Sequence, residues 1–359
     1  MASRRLEYID AMRGFTILLV VFHHIVLFGA GLETRNFPPD ELFVFFRTPV
    51  FFFISGFIAY KSAEHRDRAF YKAHLRKKAA VQIIPAVVFF VLFALWRGSD
   101  PRAFLVDGFG RYRVTIVLFE MFVVCFTVSR LLRNHPRAID LVLVGLALLM
   151  TAGIAEDTRV GKVLMLFRLY RYFQYFVLGV LARKYIDRFF RLLNDRRFNL
   201  ATLALYGGSL FLLVLFDMRD TVPALGRTLA FFVAPYSGLL VVFTLFYKLR
   251  RGFARSGAVS RTLQFIGRRT LDIYQLHYFF ISASLPLIDN ADPLVRTAVI
   301  CAYTVLIVAG CLLVSRVVRL SDLLGHYLFG APRRTTAKTA LPATGTVRLR
   351  HRFPVFGHK

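Results

Sequence analysis

Ten apolar stretches of bilayer length, divided by charged connections, leave this chain few ways to fold. A helix that crosses a membrane needs about 20 mostly apolar residues, because hydrocarbon offers no partner to an exposed backbone. Such runs occupy residues 14–31, 43–62, 79–97, 114–132, 138–155, 168–184, 199–217, 226–247, 271–289 and 296–315. The expected fold is therefore all-α, a polytopic integral membrane bundle with about ten transmembrane helices. The sixth run is the least regular, since "LFRLYRYFQYFVLGVLA" carries Arg168 and Arg171 near its start. Residues 1–320 read as one membrane-embedded domain. Residues 321–359 are basic and rich in Thr and Pro, the composition of a disordered tail.

The composition agrees. Hydrophobic residues make up 57% of the chain and charged residues 19%, against roughly a quarter charged in soluble domains. The net charge of +27 would suggest nucleic acid in a soluble protein. Here the cations cluster in alternate connections, which is how orientation is written into a membrane chain. One set holds Arg4 and Arg5, residues 66–78 with Arg76, Lys77 and Lys78, and Arg130, Arg133 and Arg137. It continues through Lys184 to Arg197 and Lys248 to Arg269. The other connections carry Glu33, Asp40, Glu41, Asp100, Asp107, Glu156, Asp157, Asp217, Asp220, Asp289 and Asp292. Both termini are thus expected in the cytoplasm, and nucleic acid is not an expected partner. Cys125, Cys301 and Cys311 lie singly inside apolar runs, so no disulfide framework and no metal site is indicated, and Cys301 and Cys311 read as small packing residues. The start has some look of a signal peptide, with Arg4, Arg5 and small residues at Gly29 to Gly31. Two histidines in the apolar core and nine further runs argue for a retained first span.

Ionisable groups inside spans mark function by default, because burying them in lipid costs several kcal/mol. In "IDAMRGFTILLVVFHHIVLFGAG", Arg13 and His24 are eleven residues apart. Eleven helical steps return to within about 20° of the same face, roughly 16 Å along the axis. Asp10 joins that face three residues earlier. One stripe then carries an ion pair at the cytoplasmic rim and an imidazole near mid-membrane. His23 points elsewhere and reads as a packing or hydrogen-bonding neighbour. The layout suits a donor with phosphates at the rim and a long arm reaching inward, with His24 as general base toward an acceptor hydroxyl. An arginine snorkelling beside a structural histidine is the equal alternative from spacing alone.

Two further stretches carry polar groups. "FRTPVFFFISGFI" places Arg47 near the extracytoplasmic end of the second span, on the far side of His24 in an antiparallel pair, followed by Pro49 and the small pair Ser55-Gly56. "IGRRTLDIYQLHYFF" sets Arg268 and Arg269 at the cytoplasmic edge and sends Asp272, Tyr274 and His277 into the ninth span, with Tyr274 and His277 on one face. For His277 a hydrogen-bonding role and a catalytic one stand level. No internal repeat is visible, which weakens a transporter built on inverted repeats.

These residues carry a resemblance. "YIDAMRGFTILLVVFHH" resembles the opening of membrane acyltransferase family three, whose first span has an Arg, ten residues and a His. "FRTPVFFFISGF" is similar to that family's second span, "RYFQYFVLGVLA" to its "YFLLG" segment, and "IGRRTLDIYQLHYFF" to the segment before its penultimate span. The four occur in the family's order and together reach from about residue 6 to 280. The resemblance implies a ten-span O-acyltransferase that moves an acyl group, commonly acetyl, from cytoplasmic acyl-CoA to a hydroxyl of a glycan or lipid-linked sugar. It implies that Arg13 and His24 are the family's Arg and His, with Asp10 beside them. Arg76, Lys77 and Lys78 are then expected to help hold acetyl-CoA, and Arg47, Glu120, Arg171, Tyr274 and His277 to face the acceptor, with Glu120 paired to Arg47 or Arg171. The location implied is the bacterial inner membrane, and no metal is expected. Two features depart from the family's pattern: "LRKKAAVQIIP" has Val81 where an Arg is often found, and "VLFEM" lacks a Trp and carries Glu120. The rival reading is a transporter or flippase for a sugar-containing substrate, which also buries Arg, Glu and His around a pathway but need not bind acyl-CoA.

Overall fold

A computed structural model describes residues 6–34, 37–60, 68–98, 112–152, 166–215, 224–254, 257–281 and 292–330. Every regular element among them is helical. In chain order these are α1 (Glu7–His24), α2 (Pro38–Ala59), α3 (Arg68–Trp96), α4 (Arg113–Leu131), α5 (Pro136–Ala152), α6 (Leu166–Lys184), α7 (Ile186–Asn194), α8 (Arg196–Leu210), α9 (Ala224–Lys248), α10 (Arg250–Ala254), α11 (Ala258–Arg268), α12 (Thr270–Phe280), α13 (Pro293–Val318) and α14 (Asp322–Phe329). One wider turn extends α1 over Ile25–Gly29 and another extends α8 over Phe211–Leu215.

Among the described residues, six helices are long and apolar enough to cross a membrane: Glu7–Gly29, Pro38–Ala59, Tyr71–Trp96, Arg113–Leu131, Thr228–Lys248 and Pro293–Val318. The protein is a multi-pass helical membrane bundle. The described parts of the other four predicted runs are also largely helical, each with a reason for falling short of a plain span. α5 has 17 residues. α6 carries Arg168, Arg171, Arg183 and Lys184. α8 is interrupted at Phe211 by the change of helical pitch. α12 ends at Phe280, and residues 282–291 lie outside those described. Of the predicted tail, only the stretch to 330 is described. There α14 packs back on α3, with Phe329 and Phe89 stacked at 5.8 Å.

Local signals set the helix starts. Pro38 and Pro39 open α2 with Asp40 and Glu41 in its first turn, where the positive end of the helix dipole favours acids. Asp195 caps α8 by accepting from the backbone N–H groups of Arg197 and Phe198, and Asp292 caps α13 through Leu294 N–H at 2.8 Å.

Two apolar clusters share α1. Its first half, with Tyr8, Ile9 and Met12, packs with α2, α4, α5, α6 and α9. Its second half, with Ile17, Val21, Phe22 and Ile25, packs with α3, α12, α13 and α14. Two reciprocal glycine contacts lock helices at backbone distance. A Cβ on Gly56 would lie 2.0 Å from the Phe176 carbonyl oxygen, and one on Gly179 would lie 2.1 Å from that of Phe53, so α2 and α6 touch main chain to main chain. The same holds between α1 and α11, where Gly14 meets Leu263 and Gly267 meets Asp10. The small residue expected at Gly56 thus has a specific partner. Of the two cysteines expected to pack, Cys311 is buried, whereas Cys301 is exposed on the outer side of α13.

Candidate active site between α1 and α12

α1 and α12 bring three polar rings together inside the bundle. α12 starts where α11 ends, and the Thr270 hydroxyl donates to the Gly267 carbonyl at 2.7 Å across the break. Because Gly267 rests on the backbone of Asp10, the start of α12 is held against α1. On its other side α12 is tied to α13 by Asp272, which accepts from Arg319 Nε and Nη2, both at 2.9 Å, and from the Ser315 hydroxyl. A carboxylate that is 1% exposed needs such donors, since an unpaired buried charge is costly. With that end fixed, α12 delivers His277 and Tyr278 to His24.

The hydrogen bonds define a direction. His277 Nδ1 lies 3.0 Å from the Ile273 carbonyl oxygen, which can only accept. In neutral His277 the proton is therefore on Nδ1, and Nε2 offers a lone pair. His24 Nδ1, 2.8 Å from that Nε2, donates to it. His24 is left with its own lone pair on Nε2, which receives the Tyr278 hydroxyl at 3.2 Å. A single backbone carbonyl thus sets the tautomers of both imidazoles and leaves the basic nitrogen of His24 facing a hydroxyl. Gln275, one turn before Tyr278, is completely buried, and neither of its amide atoms has a hydrogen-bond partner among the described residues. Its main-chain carbonyl accepts from the Tyr112 hydroxyl at 3.2 Å.

His23 faces the hairpin with α2. Its Nδ1 is 2.7 Å from Asp40 Oδ2, and Arg47 Nη1 donates to Asp40 Oδ1 at 2.9 Å. Asp40 is 0% exposed and binds both His23 and Arg47. The hydrogen-bonding role expected of His23 appears here, in one chain, Arg47–Asp40–His23, beside the imidazole pair.

The other predicted residues are spread more widely. Arg13 is half-buried and Asp10 buried, both at the end of α1 that meets α11. Arg76 and Lys77 are exposed, while Lys78 Nζ sits 3.7 Å from the centre of the Phe122 ring. Tyr274 reaches the His277 ring at 5.8 Å. The expected ion pair of Glu120 is not made. Arg47 is bound to Asp40 instead, Glu120 Oε2 is buried with no hydrogen-bond partner among the described residues, and Arg171 is exposed with its guanidinium over the Tyr172 ring. The physical reason is proximity, since Asp40 lies seven residues before Arg47 on the same helix. Sequence reasoning missed Tyr278 and Asp40. The adjacency of His277 and Tyr278 in "QLHYFF" was the available signal for the first.

Residues 6–316 match the sequence profile of acyltransferase family 3, described as an acyltransferase domain. No curated protein and no solved structure matches the chain.

Proposed function

The chain belongs to acyltransferase family three, and from that premise we propose that it is an O-acyltransferase that moves an acetyl or similar acyl group from cytoplasmic acyl-CoA to a hydroxyl of a cell-envelope glycan or lipid-linked sugar. The observation that carries this reading is the His24 Nε2 lone pair, set by His277 and placed beside a hydroxyl. In the reaction, the acceptor hydroxyl takes the place that the Tyr278 hydroxyl holds. His24 Nε2 removes its proton as the oxygen attacks the thioester carbonyl, a C–O bond forms, the C–S bond breaks, and the proton passes from His24 to the departing thiolate. His277 spreads the charge of the imidazolium through the Nδ1–Nε2 bond. The buried Gln275 amide, which has no hydrogen-bond partner among the described residues, is the group we assign to the developing oxyanion.

The donor enters from the end where α1 begins. The cytoplasmic orientation of that end is the positive-inside reading of the chain. Arg13 lies there, α11 brings Arg268 and Arg269 to the same end, and Arg76, Lys77 and Lys78 supply further cations for the CoA phosphates. The acceptor comes from the opposite side, where Arg47, Asp40 and His23 support the imidazoles and where Glu120, Arg171 and Tyr274 belong to the same proposed reading. The membrane is the bacterial inner membrane in this scheme. The test is release of free CoA thiol from acetyl-CoA by the purified protein, together with mass spectrometry of envelope glycans and lipid-linked sugars with and without the gene. Loss of an acetylated species on deletion supports the reading. Unchanged profiles with no acetyl-CoA turnover overturn it.

A further inference from the structure

Buried polar side chains without a described partner gather along one seam, where α3 and α4 run beside α12. Gln82 Oε1 on α3, Glu120 Oε2 on α4 and both amide atoms of Gln275 on α12 have no hydrogen-bond partner among the described residues. α3 and α4 are antiparallel, and three contacts fix their register. Tyr71 and Thr127 share a hydrogen bond at 3.2 Å, Lys78 Nζ sits 3.7 Å from the centre of the Phe122 ring, and the rings of Phe93 and Tyr112 are 6.3 Å apart. Gln82 comes eleven residues after Tyr71 and Glu120 seven before Thr127, so each lies within about 20° of the side that carries that bond. Counted from Lys78 and Phe122, Gln82 lies about 6 Å along α3 and Glu120 about 3 Å along α4, in the same direction. Counted back from Phe93 and Tyr112, they lie about 16 Å and about 12 Å away. Both counts set the two residues at one level to within a helical turn. Gln275 stands further along the seam, where its carbonyl accepts from Tyr112 and where Phe93 and Tyr112 pack on Tyr278.

The unmet atoms of Gln82 and Glu120 are oxygens, and a buried acceptor without a donor weakens a fold. Gln82 is 6% exposed, so bulk water does not serve it. Two such oxygens at one level of a helix pair are matched by a ligand that brings the donors. They stand between Lys78, one turn before Gln82, and the rings that meet His24. Resting on the acyltransferase reading, we propose that Gln82 and Glu120 form a binding subsite for a neutral substrate group that carries O–H or N–H donors. Both substrates of that reading have such groups, the pantetheine arm of acyl-CoA in its amides and hydroxyl, the acceptor sugar in its ring hydroxyls. A substrate held there extends along the seam toward Gln275 and His24.

The test reads binding without turnover. Full-length protein in nanodiscs is titrated with S-acetylpantetheine, which is the thioester on its bare arm, and with methyl glucoside, a sugar alone. Wild-type protein should bind at least one of them. Gln82→Leu and Glu120→Leu should each weaken that binding about fivefold or more, while Glu120→Gln, which keeps an oxygen, retains part of it. The probe that loses affinity names the source of the donors. Without a probe, Gln82→Leu should melt at or above the wild-type Tm, because an apolar group then replaces an unmet acceptor. A lower Tm would mean that the oxygen is satisfied inside the protein, and it overturns the proposal. Wild-type protein that binds neither probe, or leucine variants that bind both as the wild type does, overturn it as well. A protein that binds a probe through these oxygens yet releases no thiol from acetyl-CoA leaves the subsite standing and sinks the function.

Discussion

His24 Nδ1 and His277 Nε2 lie 2.8 Å apart although 253 residues separate them in the chain. Their hydrogen bond, anchored at its far end on the Ile273 carbonyl, turns two neutral rings into one oriented base.

Replacing the base should remove chemistry and spare binding. His24→Ala is expected to lower turnover of acetyl-CoA by about 10²- to 10⁴-fold, with expression and membrane insertion intact. His277→Ala removes the acceptor of the Nδ1 proton and should lower kcat while leaving KM for acetyl-CoA nearly unchanged. Thiol release by purified variants checks both, and near-normal turnover of the His24 variant would remove it from the mechanism.

Gln275→Leu separates an oxyanion donor from a packing residue. The leucine is close in volume and suits a buried apolar site better than an amide that has no partner among the described residues. Thermal stability should hold or rise, while kcat falls by about 10²- to 10³-fold. A stable variant with full activity would make Gln275 a spectator.

Arg13→Ala should raise KM for acetyl-CoA, with only partial rescue by Arg13→Lys, because an ammonium cannot make the forked phosphate contact. Neutralising Arg76, Lys77 and Lys78 together should also raise that KM. If topology inverts instead, the cluster acts as an orientation signal, and cysteine accessibility from each side reads the difference.

Asp40→Asn and Arg47→Ala disturb the support of His23 without touching the donor end. Both should lower transfer to acceptor and leave acetyl-CoA binding in place. Parallel loss of donor binding would show that the chain Arg47–Asp40–His23 holds the whole bundle.

Gly56→Ala and Gly179→Ala put a methyl group within about 2 Å of a backbone oxygen, where nothing can give without moving a helix. Each should cost about 1–3 kcal/mol, seen as a lower Tm in detergent. Gly145→Ala is the control, since open space surrounds that position and its Tm should be unchanged or higher.

Much of the fold was legible because apolar length and charge alternation are local properties. The stripe from Asp10 through Arg13 to His24 follows from the helical period alone. The meeting of α1 with α12 was not legible, since nothing in the spacing of one helix says which other helix it faces. The same limit explains Glu120: charge complementarity suggested Arg47, but Asp40 two turns away on α2 takes that arginine. Tyr278 went unread for a simpler reason. An aromatic in an apolar run is ordinarily core, and only the position of His24 gives its hydroxyl a role.

The two adjacent histidines of α1 differ sharply in how long they wait during synthesis. His23 finds Asp40 only 17 residues later, within the first hairpin to enter the membrane. His24 must wait for residue 277, and at about 5–20 residues per second that takes roughly 10–50 s. Throughout that interval His24 sits in the first span without the two partners it takes from α12, and its Nδ1 proton gains its acceptor only when α12 arrives. On the proposed reading, a nascent chain truncated before α12 carries the His24 ring without the group that orients its proton, and it should be inactive.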